Sequence, residues 1–199
     1  NVPDDKHFRL VIAWLLGALQ AKGPFPLLCL QGEQGSAKST LARILRSLID
    51  PSVSPLRTTP KDARDLAIAA NNGRLICFDN LSGLRDWLSD SLCRLATGGG
   101  FSTRELYANS DEIIFDAMRP CMLNGIEEVA TRNDLIDRAI VTKLPPVPSD
   151  SRRTEKSLMK EFEEYRPSIL GALLDAVSEA LMNFSKVKLE TLPRMADFA

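Results

Sequence analysis

The chain has 199 residues and carries 25 Lys and Arg against 26 Asp and Glu, so its formal net charge is −1. With 44% hydrophobic residues, this balance is typical of a globular domain and excludes a highly charged disordered chain or a basic nucleic-acid-binding tail. A single histidine (His7) and four cysteines without a CxxC pair argue against a Ser-His-Asp triad, a histidine-ligated metal, a disulfide framework and a zinc site.

The first predicted element is a helix that Asp4 or Asp5 can cap and that runs to about Gln20, because its apolar residues recur at helical spacing. Its apolar run, Val11–Leu19, is the longest in the chain and is too short to span a membrane. Acidic residues precede this run instead of the basic segment of a signal peptide. We therefore expect a cytoplasmic protein with no membrane partner.

Beyond this helix, apolar runs typical of buried strands alternate with helical patterns, which predicts an α/β fold with a parallel sheet covered on both faces. Pro145-Pro146-Val147-Pro148 marks a boundary, so we expect a core of residues 1–148 and a small helical segment of residues 149–199. The predicted elements are strand Phe25–Gln31, helix Lys38–Ile49, a short strand near Leu56–Thr58, helix Asp62–Ala70, strand Arg74–Phe78, helix Leu84–Ala96, a hairpin of Phe101–Tyr107 and Glu112–Phe115, strand Pro120–Gly125, a helical turn Asp134–Arg138, strand Ala139–Leu144, and helices Glu155–Tyr165 and Pro167–Asn183.

The loop between the first predicted strand and the next helix matches the phosphate-binding pattern G-x-x-x-x-G-K-[ST], except that alanine replaces its last glycine. Backbone N–H groups of such a loop and of the helix N-terminus cradle phosphates. In this pattern Lys38 reaches the β- and γ-phosphates, and Ser39 ligates Mg²⁺. We expect Ala37 to adopt right-handed helical geometry, which tolerates a Cβ atom, while Gly35 forms the tight turn. The predicted ATP-binding residues are Gly32, Glu33, Gln34, Gly35, Ser36, Ala37, Lys38, Ser39 and Thr40.

An apolar run that ends in Asp79 predicts a strand of the Walker B type beside the phosphate loop. Asp79 would share the coordination of Mg²⁺ with Ser39. The next residue is Asn80, at a position where many ATPases carry a glutamate base. Asparagine cannot accept a proton, but it can orient a water, and phosphoryl transfer depends mainly on positioning and electrostatics. Glu127 and Glu128 are alternatives that the sequence does not place at the phosphates.

A second apolar run ends in Asn124, which can orient the attacking water between the other strand ends or serve as a turn residue. The segment Thr131–Ile140 follows, with Asp-Leu-Ile-Asp-Arg immediately before a predicted strand. This order of motifs resembles the AAA+ ATPases, and most of all the superfamily III helicases in the primase–helicase proteins of phages and mobile elements. The resemblance covers about Phe25–Leu144.

The resemblance implies a P-loop NTPase fold of the AAA+ type, a three-layer sandwich whose parallel sheet has strand order 5-1-4-3-2. It also implies a homo-oligomeric ring, expected to be a hexamer, with ATP bound between subunits. Arg138 would then be the arginine finger that reaches the neighbouring subunit's γ-phosphate, with Arg132 as the alternate. Either arginine can instead pair locally with Asp134 or Asp137.

In these helicases a hairpin inserted before the sensor strand projects into the ring channel and touches DNA. The matching segment here is Gly100–Arg119, with its tip near Ala108–Asp111. The tip is not basic, although Arg104 lies on one arm and Phe101 and Tyr107 can stack on bases. These aromatic residues can equally pack the hairpin onto its own domain.

We therefore expect an ATPase with Mg²⁺ as its metal, a DNA helicase or translocase of phage or mobile-element replication that acts on single-stranded DNA. Two alternatives remain open at this point. One is an AAA+ loader or remodelling ATPase that acts on a protein partner, and the other is a non-hydrolysing nucleotide-binding scaffold, which Asn80 would allow. Arg152, Arg153 and Arg166 are equal candidates for the sensor arginine that AAA+ proteins often carry in their C-terminal helices.

Overall fold

The computed structural model describes residues 2–99, 101–104, 112–115, 117–126, 132–188, 191 and 195, with the backbone alone for residues 101–104 and 112–115. Two single-turn 3₁₀ helices flank the last α-helix, at Ser149–Ser151 and Phe184–Lys186. Within the described part of the chain, no helix combines the length and the apolar character that crossing a bilayer requires. The helices are α1 (Asp5–Leu19), α2 (Lys38–Ile49), α3 (Ala63–Asn71), α4 (Asp86–Thr97), α5 (Asn133–Ile136) and α6 (Glu155–Asn183), and the strands are β1 (Leu27–Gln31), β2 (Ile76–Leu81), β3 (Phe101–Arg104), β4 (Glu112–Phe115), β5 (Cys121–Gly125) and β6 (Ala139–Lys143).

Four parallel strands form the central sheet in the order β2-β5-β1-β6. Side chains alternate between the two faces of the sheet, because successive residues of a strand point in opposite directions. Leu27 and Cys29 of β1 belong to a core with side chains of α3, α4 and α5. Leu28 and Leu30 belong to a second core with side chains of α1, α2 and α6. The fold is therefore an α/β sandwich with helices on both faces of a parallel sheet, as the alternating pattern predicts.

The described sheet has four strands rather than the five of the predicted 5-1-4-3-2 order. The segment expected as a strand near Leu56–Thr58 contributes one isolated parallel bridge, between Arg57 and Phe78 on the free side of β2. Arg57 is the residue of this segment whose N–H and carbonyl both bond to β2. The next position toward the amino end that would donate to β2 is Pro55, which has no N–H, so the pairing cannot extend in that direction.

The two C-terminal helices expected on either side of residue 166 are one continuous helix, α6, with Pro167 inside it. The prediction of a break was wrong. Proline inside a helix removes one backbone hydrogen bond and costs about 3 kcal/mol. Phe162 before the proline and Leu173 after it are both buried in the core with α1 and α2. Packing on both sides of Pro167 therefore keeps the helix continuous against the local preference.

The helix α1 holds the start of β1 in place. The carboxylate of Asp4 caps α1 by accepting a hydrogen bond from the backbone N–H of His7 at 2.8 Å. Further along α1, the buried Trp14 donates a hydrogen bond from Nε1 to the carbonyl of Pro26 at 2.8 Å. The chain is therefore held to α1 at the residue that immediately precedes β1.

The predicted hairpin is present as the antiparallel pair β3–β4, which forms its own two-stranded sheet with Phe101 opposite Phe115. Tyr107 and the expected tip, Ala108–Asp111, lie outside the described residues. Arg119, at the end of the predicted hairpin, is bound to the domain. Its backbone N–H bonds to a carbonyl of α4 and its Nε to a carbonyl of α3, both at 2.9 Å.

Candidate nucleotide-binding site

The phosphate-binding pattern lies where the sequence predicts it, in a loop between the carboxyl end of β1 and the first residue of α2. The loop begins with Gly32, which has a φ of +151° and stands against the end of β6. A Cβ atom there would lie 2.4 Å from the carbonyl oxygen of Leu144. Glycine is therefore required at this position by a close backbone approach, whereas Gly35 is required by its positive φ of +82°.

Ala37 does not have the right-handed geometry expected of it. Its φ of 59° and ψ of 27° are left-handed, a conformation that costs a residue with a Cβ atom about 1 kcal/mol relative to glycine. The Ala37 side chain also provides no cap for α2. The first N–H groups of α2 are thus left without a side-chain acceptor, which is the arrangement that favours an anion at a helix N-terminus.

Lys38 is folded back over the loop, and only 9% of its surface is exposed. Its Nζ donates to the carbonyl oxygens of Gly32 and Glu33 at 2.8 Å each and to Oγ of Ser36 at 3.2 Å. Burial lowers the pKa of Lys38, and the nearby carboxylate of Asp79 opposes that shift. The loop therefore holds a cation that is already stripped of most of its water and is satisfied by neutral acceptors.

Ser39, Asp79 and Asn124 meet at the carboxyl end of the sheet, although they are far apart in the sequence. Ser39 Oγ donates to Oδ1 of Asp79 at 3.0 Å. Asn124, which is 2% exposed, donates from Nδ2 to the same Oδ1 at 2.5 Å and lies 3.2 Å from Ser39 Oγ. Asn124 is thus a buried residue at a strand end that links two other site residues, not an exposed turn residue.

An irregularity in β2 presents Asp79 and Asn80 to this site. The pairing of β2 with β5 shifts register between Phe78 and Leu81, and Asn80 has a positive φ of 56°. The Asn80 N–H donates to Oδ1 of Asp79 at 3.0 Å, while its side chain is exposed and faces the cleft. The bulge therefore releases both polar residues from the ladder and directs them to one place.

These residues line a cleft of about 490 Å³. Gln34, Gly35, Ala37 and Thr40 of the predicted set also line it, whereas Glu33 contributes the carbonyl that Lys38 bonds. Glu127 and Glu128, the alternative bases, lie outside the described residues. The structure thus brings the predicted nucleotide-binding and metal-binding residues to one cleft at the carboxyl ends of the strands, where parallel sheets bind ligands.

A larger and mostly apolar cavity of about 650 Å³ adjoins the cleft. Its apolar walls come from Leu41 and Ile44 of α2, Leu158 of α6, and the proline-rich segment after β6. The N–H of Val147 in that segment donates to the carbonyl of Gly35 at 3.1 Å, which fixes the segment against the phosphate loop. The sequence predicts only a boundary at these prolines, because no sequence pattern indicates a contact with the loop.

Of the three arginines left as equal candidates for a sensor, Arg152 lies nearest the phosphate loop. It lines the apolar cavity, and its guanidinium is 3.6 Å from the point where a Cβ atom of Gly35 would stand. Arg153 also lines this cavity but pairs with Glu161. Arg166 donates to Glu163 on the same helix and does not line either cavity.

The two candidate finger arginines lie away from this chain's own cleft. The carbonyl of Arg138 accepts a hydrogen bond from Leu27 at 2.9 Å, so Arg138 stands at the amino end of β1. Five strand residues span about 17 Å, which separates Arg138 from the phosphate loop at the other end. Its guanidinium donates to the backbone carbonyl of Asp134 at 2.6 Å. Arg138 therefore lies too far from the phosphate loop of its own chain to contact it.

Arg132 is held in a local group of acidic side chains. It pairs with Asp90 at 2.9 Å, Asp134 at 3.2 Å and Asp86 at 3.5 Å. Desolvation lowers the pKa of Arg132, but these carboxylates outweigh it and the pKa is raised. The local ion pair considered in the sequence analysis is thus present for Arg132, whereas Arg138 bonds a backbone oxygen instead.

Solved structures of the NrS-1 C-terminal region share this fold. The A-form apo structure of the NrS-1 C-terminal region matches with a TM-score of 0.61 and 16% identity over 85% of this chain and 41% of that chain. A second apo structure of that region, residues 305–718, gives 0.60 and 16% over 84% and 41%. A JCV helicase structure aligns with a TM-score of 0.45 and 10% identity over 84% and 52%. This chain therefore spans about two fifths of the NrS-1 structures.

The sequence itself matches one family over its full length. The family model described as "Actinomycete integrative conjugative element replication protein" matches residues 1–199. No curated protein matches the chain.

Proposed function

Because the chain belongs to the family of actinomycete integrative conjugative element replication proteins, we propose that it is an ATP-driven motor domain of element replication. It binds ATP with Mg²⁺ in the cleft at the carboxyl end of the sheet, hydrolyses it where two subunits meet, and moves along single-stranded DNA. The observation that carries this proposal is the convergence of Lys38, Ser39, Asp79 and Asn124 on one cleft.

Phosphate binding rests on the loop and on the start of α2. The Lys38 ammonium is already desolvated and is held by neutral carbonyl oxygens. An anionic phosphate oxygen is a stronger acceptor than a carbonyl, so it draws the ammonium away from Gly32 and Glu33. The uncapped N–H groups at the start of α2 supply further donors to the same anion.

The donor set fits a magnesium ion. The hydroxyl of Ser39 and the carboxylate of Asp79 are the hard oxygen ligands that Mg²⁺ takes in proteins, with water and phosphate oxygens completing its coordination. Oδ1 of Asp79 already accepts from Ser39, Asn80 and Asn124. Among the described residues, none donates a hydrogen bond to Oδ2, which leaves that oxygen for the metal. A bound Mg²⁺ would neutralise charge on the phosphates.

Two asparagines are in place to orient the attacking water. Asn124 uses Nδ2 on Asp79 and Ser39, which leaves its Oδ1 to accept from a water. Asn80 extends its exposed side chain into the cleft. Neither amide takes up the proton of the attacking water, which passes to an oxygen of the transferred phosphoryl group. Positioning and electrostatic stabilisation supply most of the acceleration in phosphoryl transfer, so two orienting amides can replace a carboxylate base with a slower turnover.

A neighbouring subunit completes the site. Arg138 is too far from its own loop, and its position at the opposite end of the strands lets a ring bring it to the next subunit's γ-phosphate. A guanidinium there stabilises the charge on the transferring phosphoryl group. Arg138 takes precedence over Arg132 in this proposal, because three carboxylates already surround Arg132. The proposed assembly is a hexameric ring.

The presence of asparagine at position 80 supports one other function, a scaffold that binds nucleotide without hydrolysing it. ATP turnover by the assembled protein, measured with and without single-stranded DNA, distinguishes the functions. We expect turnover that DNA accelerates and that Lys38→Ala abolishes. ATP binding without hydrolysis would support the scaffold. An ATP hydrolysis rate that single-stranded DNA does not change would support a loader that acts on a protein.

A further inference from the structure

The cleft and the apolar cavity meet at a common boundary beside the phosphate loop. Four residues line both, namely Gly35, Ala37, Thr40 and Glu155. Among these four, Glu155 contributes the one charged side chain. A ligand that fills both cavities must therefore pass a carboxylate at their boundary.

The phosphates and the base of a nucleoside triphosphate match the two adjoining cavities, the polar cleft and the apolar cavity. Its phosphates belong at Lys38, and the apolar walls formed by Leu41, Ile44 and Leu158 suit the faces of a base. Covalent structure places the sugar between base and phosphates. The sugar of a nucleotide that uses both cavities therefore lies at the boundary, next to Glu155.

Glu155 is held in a defined position. It is the first residue of α6, whose cap Thr154 accepts a hydrogen bond from the N–H of Ser157 at 3.2 Å. Arg43 of α2 donates from Nη1 to Oε1 of Glu155 at 2.5 Å. Among the residues that the structure describes, none donates to Oε2. The helix N-terminus favours the charged carboxylate, and Arg43 orients it with one oxygen left to accept.

We propose that Glu155 recognises the sugar of the bound nucleotide, accepting hydrogen bonds from ribose hydroxyls at Oε2, and that the protein thereby selects ribonucleoside triphosphates over analogues that lack both sugar hydroxyls. A carboxylate that accepts from a sugar hydroxyl is an established means of reading ribose, and it is a charge-assisted hydrogen bond. Arg43 acts on this contact through Glu155 as a positioning residue. This inference rests on the proposed function, because it requires that a nucleotide binds in the cleft.

The test compares the equilibrium binding of ATP and of 2′,3′-dideoxyATP, both with Mg²⁺, to the wild type and to Glu155→Ala. In the wild type we expect ATP to bind about tenfold more tightly, the effect of one hydrogen bond to a charged acceptor. In Glu155→Ala the ratio should fall to about one. The ratio isolates the hydroxyl contact, because the loss of the Glu155 charge and of its pair with Arg43 changes the binding of both triphosphates alike.

Glu163→Ala is the matched control. Glu163 is also on α6 and pairs with Arg166 at 3.1 Å, but it lines neither cavity, so the ratio should stay at its wild-type value. Glu155→Gln keeps the shape of the side chain if the alanine variant folds poorly, and its weaker neutral acceptor should lower the ratio to about threefold. A wild-type ratio near one, or a ratio that neither Glu155 variant lowers, overturns the role of Glu155. Wild-type protein that binds neither nucleotide overturns the proposed function itself.

Discussion

Asn124 at the end of β5 donates a hydrogen bond from Nδ2 to Oδ1 of Asp79 on β2, with 2.5 Å between the two atoms. The same nitrogen lies 3.2 Å from the hydroxyl of Ser39 in the first turn of α2. One buried amide therefore joins the polar ends of two neighbouring strands to the helix that follows the phosphate loop. This connection makes Asn124 a positioning residue for the metal side of the site, besides any contact with water.

Replacing Asn124 with alanine should reduce ATP turnover about a hundredfold, because a misplacement of about 1 Å in a catalytic site can cost that much. ATP affinity should change little, because Lys38 and the loop are untouched. Single-turnover kinetics together with calorimetric binding separate the two quantities. Asn80→Ala removes the other orienting amide but keeps the hydrogen bond to Asp79, because that bond comes from the backbone N–H of Asn80. The decrease in turnover should therefore be smaller. Wild-type turnover in Asn124→Ala would contradict the role assigned to it.

Removal of the Lys38 side chain should weaken ATP binding at least a hundredfold, because the phosphates lose their interaction with a desolvated ammonium group. The fold should persist, since Lys38 bonds only to its own loop. Titration calorimetry measures the affinity and circular dichroism the fold. Lys156→Ala is the control, because Lys156 is exposed on α6 and lines neither cavity. Unchanged affinity in Lys38→Ala would end the assignment of the phosphate loop.

Ala37→Gly should raise the free energy of unfolding by about 0.5 kcal/mol, because relief of the left-handed strain exceeds the extra entropy of glycine in the unfolded chain. Ala172→Gly on the exposed side of α6 should lower it by about 1 kcal/mol, since that position is helical. Urea denaturation monitored by circular dichroism gives both values. A loss in Ala37→Gly equal to that in Ala172→Gly would mean that Ala37 is right-handed.

Arg138→Ala should bind ATP nearly as well as the wild type and hydrolyse it about a thousandfold more slowly, as expected for an arginine that stabilises transition-state charge. Mixing decides whether the arginine acts on a neighbour. In rings that mix Arg138→Ala and Lys38→Ala subunits, some interfaces pair an intact Lys38 of one subunit with an intact Arg138 of its neighbour. ATP hydrolysis should therefore partly return. No recovery in rings shown to be mixed would count against Arg138, and the same experiment on Arg132→Ala would then test the alternate.

Deletion of residues 109–110 at the predicted hairpin tip, or Arg104→Ala on β3, should weaken single-stranded DNA binding and leave ATP affinity unchanged. Fluorescence anisotropy with a labelled oligonucleotide at low salt is the measurement, because phosphate contacts are strongest there. Arg57→Ala, on the free side of β2, is a charge-matched control. Equal DNA affinity in the deletion variant and the wild type would assign the hairpin to packing alone.

The sequence predicts the elements of the core well, because apolar periodicity reports which residues are buried. The helix Lys38–Ile49 has the predicted bounds, and the strands that carry Asp79 and Asn124 end close to where they are expected. The predicted resemblance to a domain of mobile-element replication proteins is confirmed by the family. These predictions rest on two kinds of signal: apolar periodicity, which acts over a few neighbouring residues, and the order of the motifs along the chain.

The errors arise where the surrounding structure overrides the preference of a single residue. Pro167 predicts a break, yet Phe162 and Leu173 are buried on both sides of it and the helix continues. Ala37 predicts a right-handed helix start, yet the loop imposes a left-handed one. The same limit explains why Glu155 was absent from the predicted site. Nothing near it in the sequence shows that α6 begins beside the phosphate loop.

The strand β5 connects the end of the predicted hairpin to the cleft. Its first residues follow Arg119, which is tied to α3 and α4, and its last residues include Asn124 at the cleft. Hydrogen-bonded neighbours flank β5 on both sides, so the strand cannot slide along its axis without breaking two ladders. A force on Arg119 is therefore carried through β5 into the sheet and to Asn124 at the cleft. If the proposed contact of the hairpin with DNA holds, we expect the base of the hairpin to move together with the sheet of its own subunit.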